Sequence, residues 1–135
     1  MQQLPLNVPF QRLMGFTIPR NDEFLMCDHN ECWSVRLGMV PEVSEIDGSP
    51  YDLASRPDFV GAGAHRNGLL QAGGVEIDYL FDPNEASVEV RYRSGEKAGS
   101  VSFRMISGDW FAASLSEDGA YVLLAEPDVL HAFAV

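Results

Sequence analysis

From residue 75 onward, apolar and polar side chains alternate with a period of two, and this spacing constrains the fold more than any other feature of the chain. Val75, Ile77, Tyr79 and Phe81 fall on one side of an extended backbone, with Glu76 and Asp78 on the other, the pattern of a strand with one buried face. Asp82-Pro83-Asn84-Glu85 supplies turn chemistry, with proline fixing φ at the second position. Val88, Val90 and Tyr92 then alternate with Glu89, Arg91 and Arg93, which predicts a hairpin partner. Beyond a loop at 94–99, Val101, Phe103 and Met105 alternate with Ser102 and Arg104, and Ser107-Gly108-Asp109 is expected to turn the chain back. Residues 110–115 and 121–125 flank Ser116-Glu117-Asp118-Gly119, where glycine can take the positive φ of a short hairpin loop. Five strands joined by short turns predict an antiparallel sheet with a C-terminal β-meander. Residues 129–135 read as one more strand or a short docking helix.

The first half is rich in proline and glycine. Residues 24–27 and 32–39 read as two strands around Asp28-His29-Asn30-Glu31. Ser49 followed by Pro50 has the character of a helix start and predicts a short helix within 49–59. Residues 10–14 are expected to form another helical turn, and 60–74 a loop or irregular strand. The expected fold class is mainly β, or α+β with one or two short helices packed on a sheet of roughly seven strands. At 135 residues, with 46% hydrophobic and 21% charged side chains, the chain has enough apolar surface for one core, so residues 1–135 are read as a single domain.

Charge narrows the function classes. The 20 Asp and Glu outnumber the 9 Lys and Arg, giving a formal net charge of −11. Phosphate backbones and anionic membrane surfaces repel such a protein, whereas a basic protein partner is steered toward it. No run approaches the ~20 apolar residues that span a bilayer. The N-terminal stretch carries Pro5 and Pro9 and lacks the basic start and apolar core of a secretory signal, so a cytoplasmic location is expected.

Candidate chemistry is sparse. Cys27 and Cys32 are read first as reduced, partly buried thiols at strand ends. A disulfide across their loop and a zinc site recruiting His29 with a further histidine are the alternatives. The stretch 61–68 is glycine-rich but lacks the spacing of a phosphate-binding loop; His65 and Arg66 within it are the residues that could contact a small anionic ligand. His29, His65 and His131 are far apart in sequence, no nucleophile or metal-protease motif is present, and no catalytic residue, cofactor or metal ligand is assigned.

Asp109 to Val122, with Ser116-Glu117-Asp118-Gly119 between apolar runs, resembles a hairpin from a β-propeller blade, where a Ser-x-Asp-Gly turn is frequent. The resemblance covers about a tenth of the chain and implies shared turn chemistry, since a propeller needs about four blades or more.

Two groups of residues are assigned to partner binding. One is an acidic middle segment, Glu42, Glu45, Asp47, Asp52 and Asp58; the other is the charged sheet face that carries Glu76, Asp78, Arg91 and Arg104. The expected function is that of a small acidic intracellular protein-binding module, with a bacterial immunity protein or antitoxin that sequesters a basic toxin as the concrete case. The alternatives are a small-molecule-binding or catalytic domain with a pocket at one end of the sheet, and a structural module that self-associates through strand edges.

Overall fold

The computed structural model describes residues 1–62, 68–106 and 109–135. In chain order its elements are Gln2–Gln3 (β1), Leu13–Thr17 (β2), Glu23–Asp28 (β3), Cys32–Arg36 (β4), Glu42–Ile46 (β5), Pro50–Ala54 (α1), Phe59–Gly61 (β6), Gln71–Ala72 (β7), Val75–Asp82 (β8), Ser87–Ser94 (β9), Lys97–Arg104 (β10), Ala112–Leu115 (β11), Tyr121–Ala125 (β12) and Leu130–Ala134 (β13). The fold is mostly β, with a single short helix among the described residues.

The strands form three antiparallel sheets, not the single sheet of about seven expected from the pattern. A first sheet has the order β5-β4-β3-β2-β6, a second β1-β13-β12-β11, and a third β10-β9-β8-β7. The second sheet lies between the other two. Leu123, Ala125, Leu130 and Ala132 on one of its faces share a core with Phe16, Phe24, Met26, Trp33 and Val35 of the first sheet. Val122, Leu124 and Phe133 on its other face pack with Val75, Ile77, Val88 and Val90 of the third. Burial on both faces is why 121–125 reads Tyr-Val-Leu-Leu-Ala and not as an alternation: neither side of β12 meets water.

The C-terminal meander is present as β11, β12 and β13, paired in succession. The expected run of five strands is divided, however, because the chain leaves the third sheet after β10 and enters the central one at β11. The segment 129–135 resolves as a strand, its Leu130 opposite Ala125. Residues 10–14 form no helical turn. Leu13 and Met14 belong to β2, which is buried along its whole length between β3 and β6, so tertiary burial overrides the local pattern.

Helix α1 starts where Ser49 and Pro50 place it, with Ser49 at the N-cap position and proline in the first turn, although the Ser49 side chain makes no capping bond. It covers the outer face of the first sheet, where Leu53 packs with Met14, Cys27, Cys32 and Phe59.

Candidate functional site

The third sheet exposes one face to solvent, and register defines what stands on it. Glu76 lies opposite Arg93, Asp78 opposite Arg91 and Leu80 opposite Glu89. On the far side of β9, Arg91 lies opposite Ser100, Glu89 opposite Ser102 and Ser87 opposite Arg104. Glu76, Asp78, Arg91 and Arg104 therefore share one exposed surface with Glu89 and Arg93. The inward side chains of these strands, Val75, Ile77, Val88 and Val90, are buried against the central sheet, which sets the register and keeps the charged set outside.

The opposed charges of β8 and β9 do not close into ion pairs. Arg91 Nε instead donates to Glu89 on its own strand at 3.2 Å, and Gln71 Nε2 donates to Glu76 at 3.0 Å. The twist of the sheet leaves two open concavities on this face. One, of about 650 Å³, runs from Leu70 and Asp78 to Arg93 and Ser100; the other, of about 560 Å³, lies among Leu80, Asp82, Glu89 and Arg104.

The acidic middle segment is split by the fold. Glu42 and Glu45 lie on β5, an edge strand that among the described residues pairs only with β4. Asp47 follows it directly and Asp52 stands on α1; all four side chains are exposed. None of the four joins an ion pair among the described residues. Immediately before β5, Met39 and Val40 are 69% and 75% exposed. Asp58 belongs elsewhere. It precedes β6, at the opposite edge of the same sheet, and accepts two hydrogen bonds from the Arg56 guanidinium at 3.0 Å each.

Cys27 and Cys32 are directly opposed in the β3–β4 register, and both are free and buried. Burial pushes the Cys27 thiol up to about 12, reinforced by the neighbouring Cys32 and by Asp28. Between them, the turn is organised by Asp28. Burial works against its ionised form, but backbone N–H groups of Asn30, Gln11 and Glu31 donate to its carboxylate at 2.8, 3.1 and 2.7 Å. With nearby His29, these donors hold its pKa below the usual carboxylate value.

His29 and His131 do not meet. His29 is exposed in the β3–β4 turn, with its ring 6.4 Å from that of Tyr51. His131 lies on β13, half-buried, its ring edge against Phe103 at 5.1 Å and Nδ1 3.1 Å from Gln3 Nε2; burial lowers its pKa. His65 and Arg66, the ligand-binding alternative, lie outside the described residues. Among the described residues no group of three His, Cys, Asp or Glu converges as a metal site, and no helix is long and apolar enough to cross a membrane.

Sequence reasoning missed Lys97 as a surface residue of this sheet by leaving it in a loop. The β9–β10 connection is only Gly95-Glu96, because Lys97 already pairs with Ser94. Gly95 takes φ 61°, the first central position of a type II′ turn, and a Gly-x pair between alternating runs is the signal that identifies it. The chain matches no protein-family model, and no curated protein or solved structure is similar to it.

Proposed function

We propose that this protein is a protein-binding module that engages a basic partner through the acidic edge of its first sheet. The observation that carries the reading is the set of exposed carboxylates at the β5 edge, Glu42 and Glu45 on the strand and Asp47 just after it, together with Asp52 on α1, none of which joins an ion pair among the described residues. An open edge offers unsatisfied backbone groups to an incoming chain. The carboxylates select a cationic one and speed its approach, and the exposed Met39 and Val40 add apolar surface to bury. In its most concrete form the partner is a basic toxin, such as a nuclease, whose phosphate-binding surface these carboxylates cover as an immunity protein or antitoxin would.

The test is capture from source-cell lysate with wild-type protein and with the triple variant Glu42→Gln, Glu45→Gln, Asp47→Asn. The reading expects a basic protein in stoichiometric amount on the wild type, released by salt and absent from the variant. The same protein retained equally by both, or nothing retained by either, overturns it.

A further inference from the structure

Among the described residues, the basic side chains without an ion pair lie in one place. Arg12, Arg20, Arg36, Arg56 and Arg91 each pair with a carboxylate: Asp109, Glu117, Glu23, Asp58 and Glu89 respectively. The basic side chains that remain among the described residues are Arg93, Lys97 and Arg104, none with such a partner, and all three belong to the β9–β10 hairpin. In a chain of formal net charge −11, this hairpin carries Arg91, Arg93, Lys97 and Arg104 against only Glu89 and Glu96, although Glu76 and Asp78 of β8 share the sheet face with Arg93.

That hairpin ends in an open edge. β10 pairs with β9 over all eight residues, without a bulge, and among the described residues no strand pairs with its other side. The ladder directs alternate residues of β10 toward β9, a phase continued at its end where the Met105 N–H donates to the Ala86 carbonyl at 2.6 Å. The N–H and C=O groups of Ala98, Ser100 and Ser102 consequently face the open side. Natural edges are blunted by proline, bulges, short length or charged side chains; β10 has no proline, no bulge and eight residues, and its charges stand only at its two ends. Its Ala98, Gly99 and Ser100 are small, leaving the backbone accessible, while Lys97 and Arg104 bracket the strand at its ends, roughly 24 Å apart.

We propose that β10 is an acceptor edge for an extended acidic segment of another protein, which adds to the third sheet as a further strand. Main-chain hydrogen bonds supply binding and the three cations select acidic side chains, the division of labour of β-strand addition. This surface is distinct from the acidic β5 edge and recognises the opposite charge. A second copy is a poorer occupant, since β10 itself, Lys97–Arg104, carries no carboxylate for these cations to select.

The test uses two labelled ten-residue peptides of alternating polar and β-branched residues, one with glutamate and one with lysine at the polar positions, followed by fluorescence anisotropy. The acidic peptide is expected to bind saturably and the lysine peptide not to bind. Reversal of Arg93, Lys97 and Arg104 to Glu weakens binding by about tenfold or more. Ser100→Pro, which removes one open-side N–H at a position where an edge strand tolerates proline, weakens it comparably with no change in charge. Amide exchange at Ala98, Ser100 and Ser102 slows on peptide addition. Equal binding of both peptides, no binding of either, or acidic-peptide binding untouched by Ser100→Pro overturns the proposal. So does a wild-type oligomer in sedimentation that Ser100→Pro dissociates, because the edge then belongs to a second copy.

Discussion

Cys27 and Cys32 face each other across the β3–β4 hairpin, the Sγ of Cys27 directed to the Pro50 carbonyl at 3.7 Å and that of Cys32 to the Gly48 carbonyl at 4.0 Å, so the segment that leads into α1 closes over both thiols. Only a thiolate is an effective nucleophile, and the Cys27 thiol, raised to about 12 by burial, stays protonated at neutral pH. An aromatic disulfide reagent at pH 8 should therefore leave both thiols unmodified in the native protein and titrate two per chain in denaturant. Rapid native-state reaction would show that the cover formed by α1 opens.

Glu126 gives stability a pH dependence of definite sign. The residue is 2% exposed; Oε1 accepts the Ile106 N–H at 3.2 Å, and Oε2 has no partner among the described residues. Burial raises its pKa against the pull of the Ile106 N–H, and Asp128 pushes it further up. The folded chain thus holds this proton more tightly than the unfolded chain, whose glutamate titrates near about 4.3. The resulting stabilisation is complete below that value and is lost as pH rises through the raised folded value. Glu126→Gln keeps an acceptor for Ile106 and cannot ionise, so its urea midpoint should gain on the wild type between pH 4 and 8. A constant difference across that range would contradict the assignment.

Asp28 contributes with the opposite sign. Because its folded pKa is depressed, its stabilisation is present above the unfolded aspartate value, about 3.9, and falls away as pH drops through the folded one. Asp28→Ala leaves the N–H groups of Gln11, Asn30 and Glu31 without this acceptor and should cost about 1–3 kcal/mol at pH 7. Denaturant unfolding at pH 7 and pH 3 should show the cost shrinking at the lower value.

Gly73 and Gly74 separate backbone strain from close approach. Both have positive φ, 55° and 78°. A Cβ on Gly73 would stand 1.9 Å from the Asp118 carbonyl oxygen, whereas one on Gly74 meets nothing within 4 Å. Gly74→Ala should cost about 1–2 kcal/mol, the left-handed penalty alone. Gly73→Ala adds a backbone clash where the β7–β8 turn meets the β11–β12 turn, bringing the total to about 2–5 kcal/mol. Equal costs in thermal unfolding would mean that the two turns are not held against each other.

Leu123 and Leu124 are adjacent on β12 and fully buried, yet they enter different cores, the first shared with the outer sheet that carries α1 and the second with the sheet that ends in β10. Each truncation to Ala should cost about 2–5 kcal/mol. If the cores unfold as one unit, both variants lower the denaturation midpoint without changing the slope. A biphasic transition in either would assign separate stabilities to the two layers.

Legibility followed the periodicity. Val75 to Phe81 and Val88 to Tyr92 read correctly because a half-buried strand writes its faces alternately. Their solvent faces, with that of the run at 101–105, brought Glu76, Asp78, Arg91 and Arg104 together in advance of any structure. The split into three sheets was hidden because nothing in the residues that follow β10 distinguishes a turn within a sheet from a step between sheets. The continuous apolar run at 121–125 was the trace of a central strand, since alternation vanishes when both faces are covered. Asp58 separates from Glu42, Glu45 and Asp47 because α1 and the residues after it carry the chain from one edge of the first sheet to the other, a distance that spacing along the sequence does not encode. Lys97 was lost to a loop only because a two-residue turn was read as a six-residue one.

The middle layer is built almost entirely from the last elements of the chain, β11, β12 and β13, with β1 added at its edge. A polypeptide leaving the ribosome therefore exposes the apolar faces of both outer sheets before the layer that covers them exists. Phe16, Phe24 and Met26 on one side, and Val88 and Val90 on the other, wait for Leu123 and Leu124. A chain cut before residue 112 would lack the layer that covers both outer sheets and leave their apolar faces open to water.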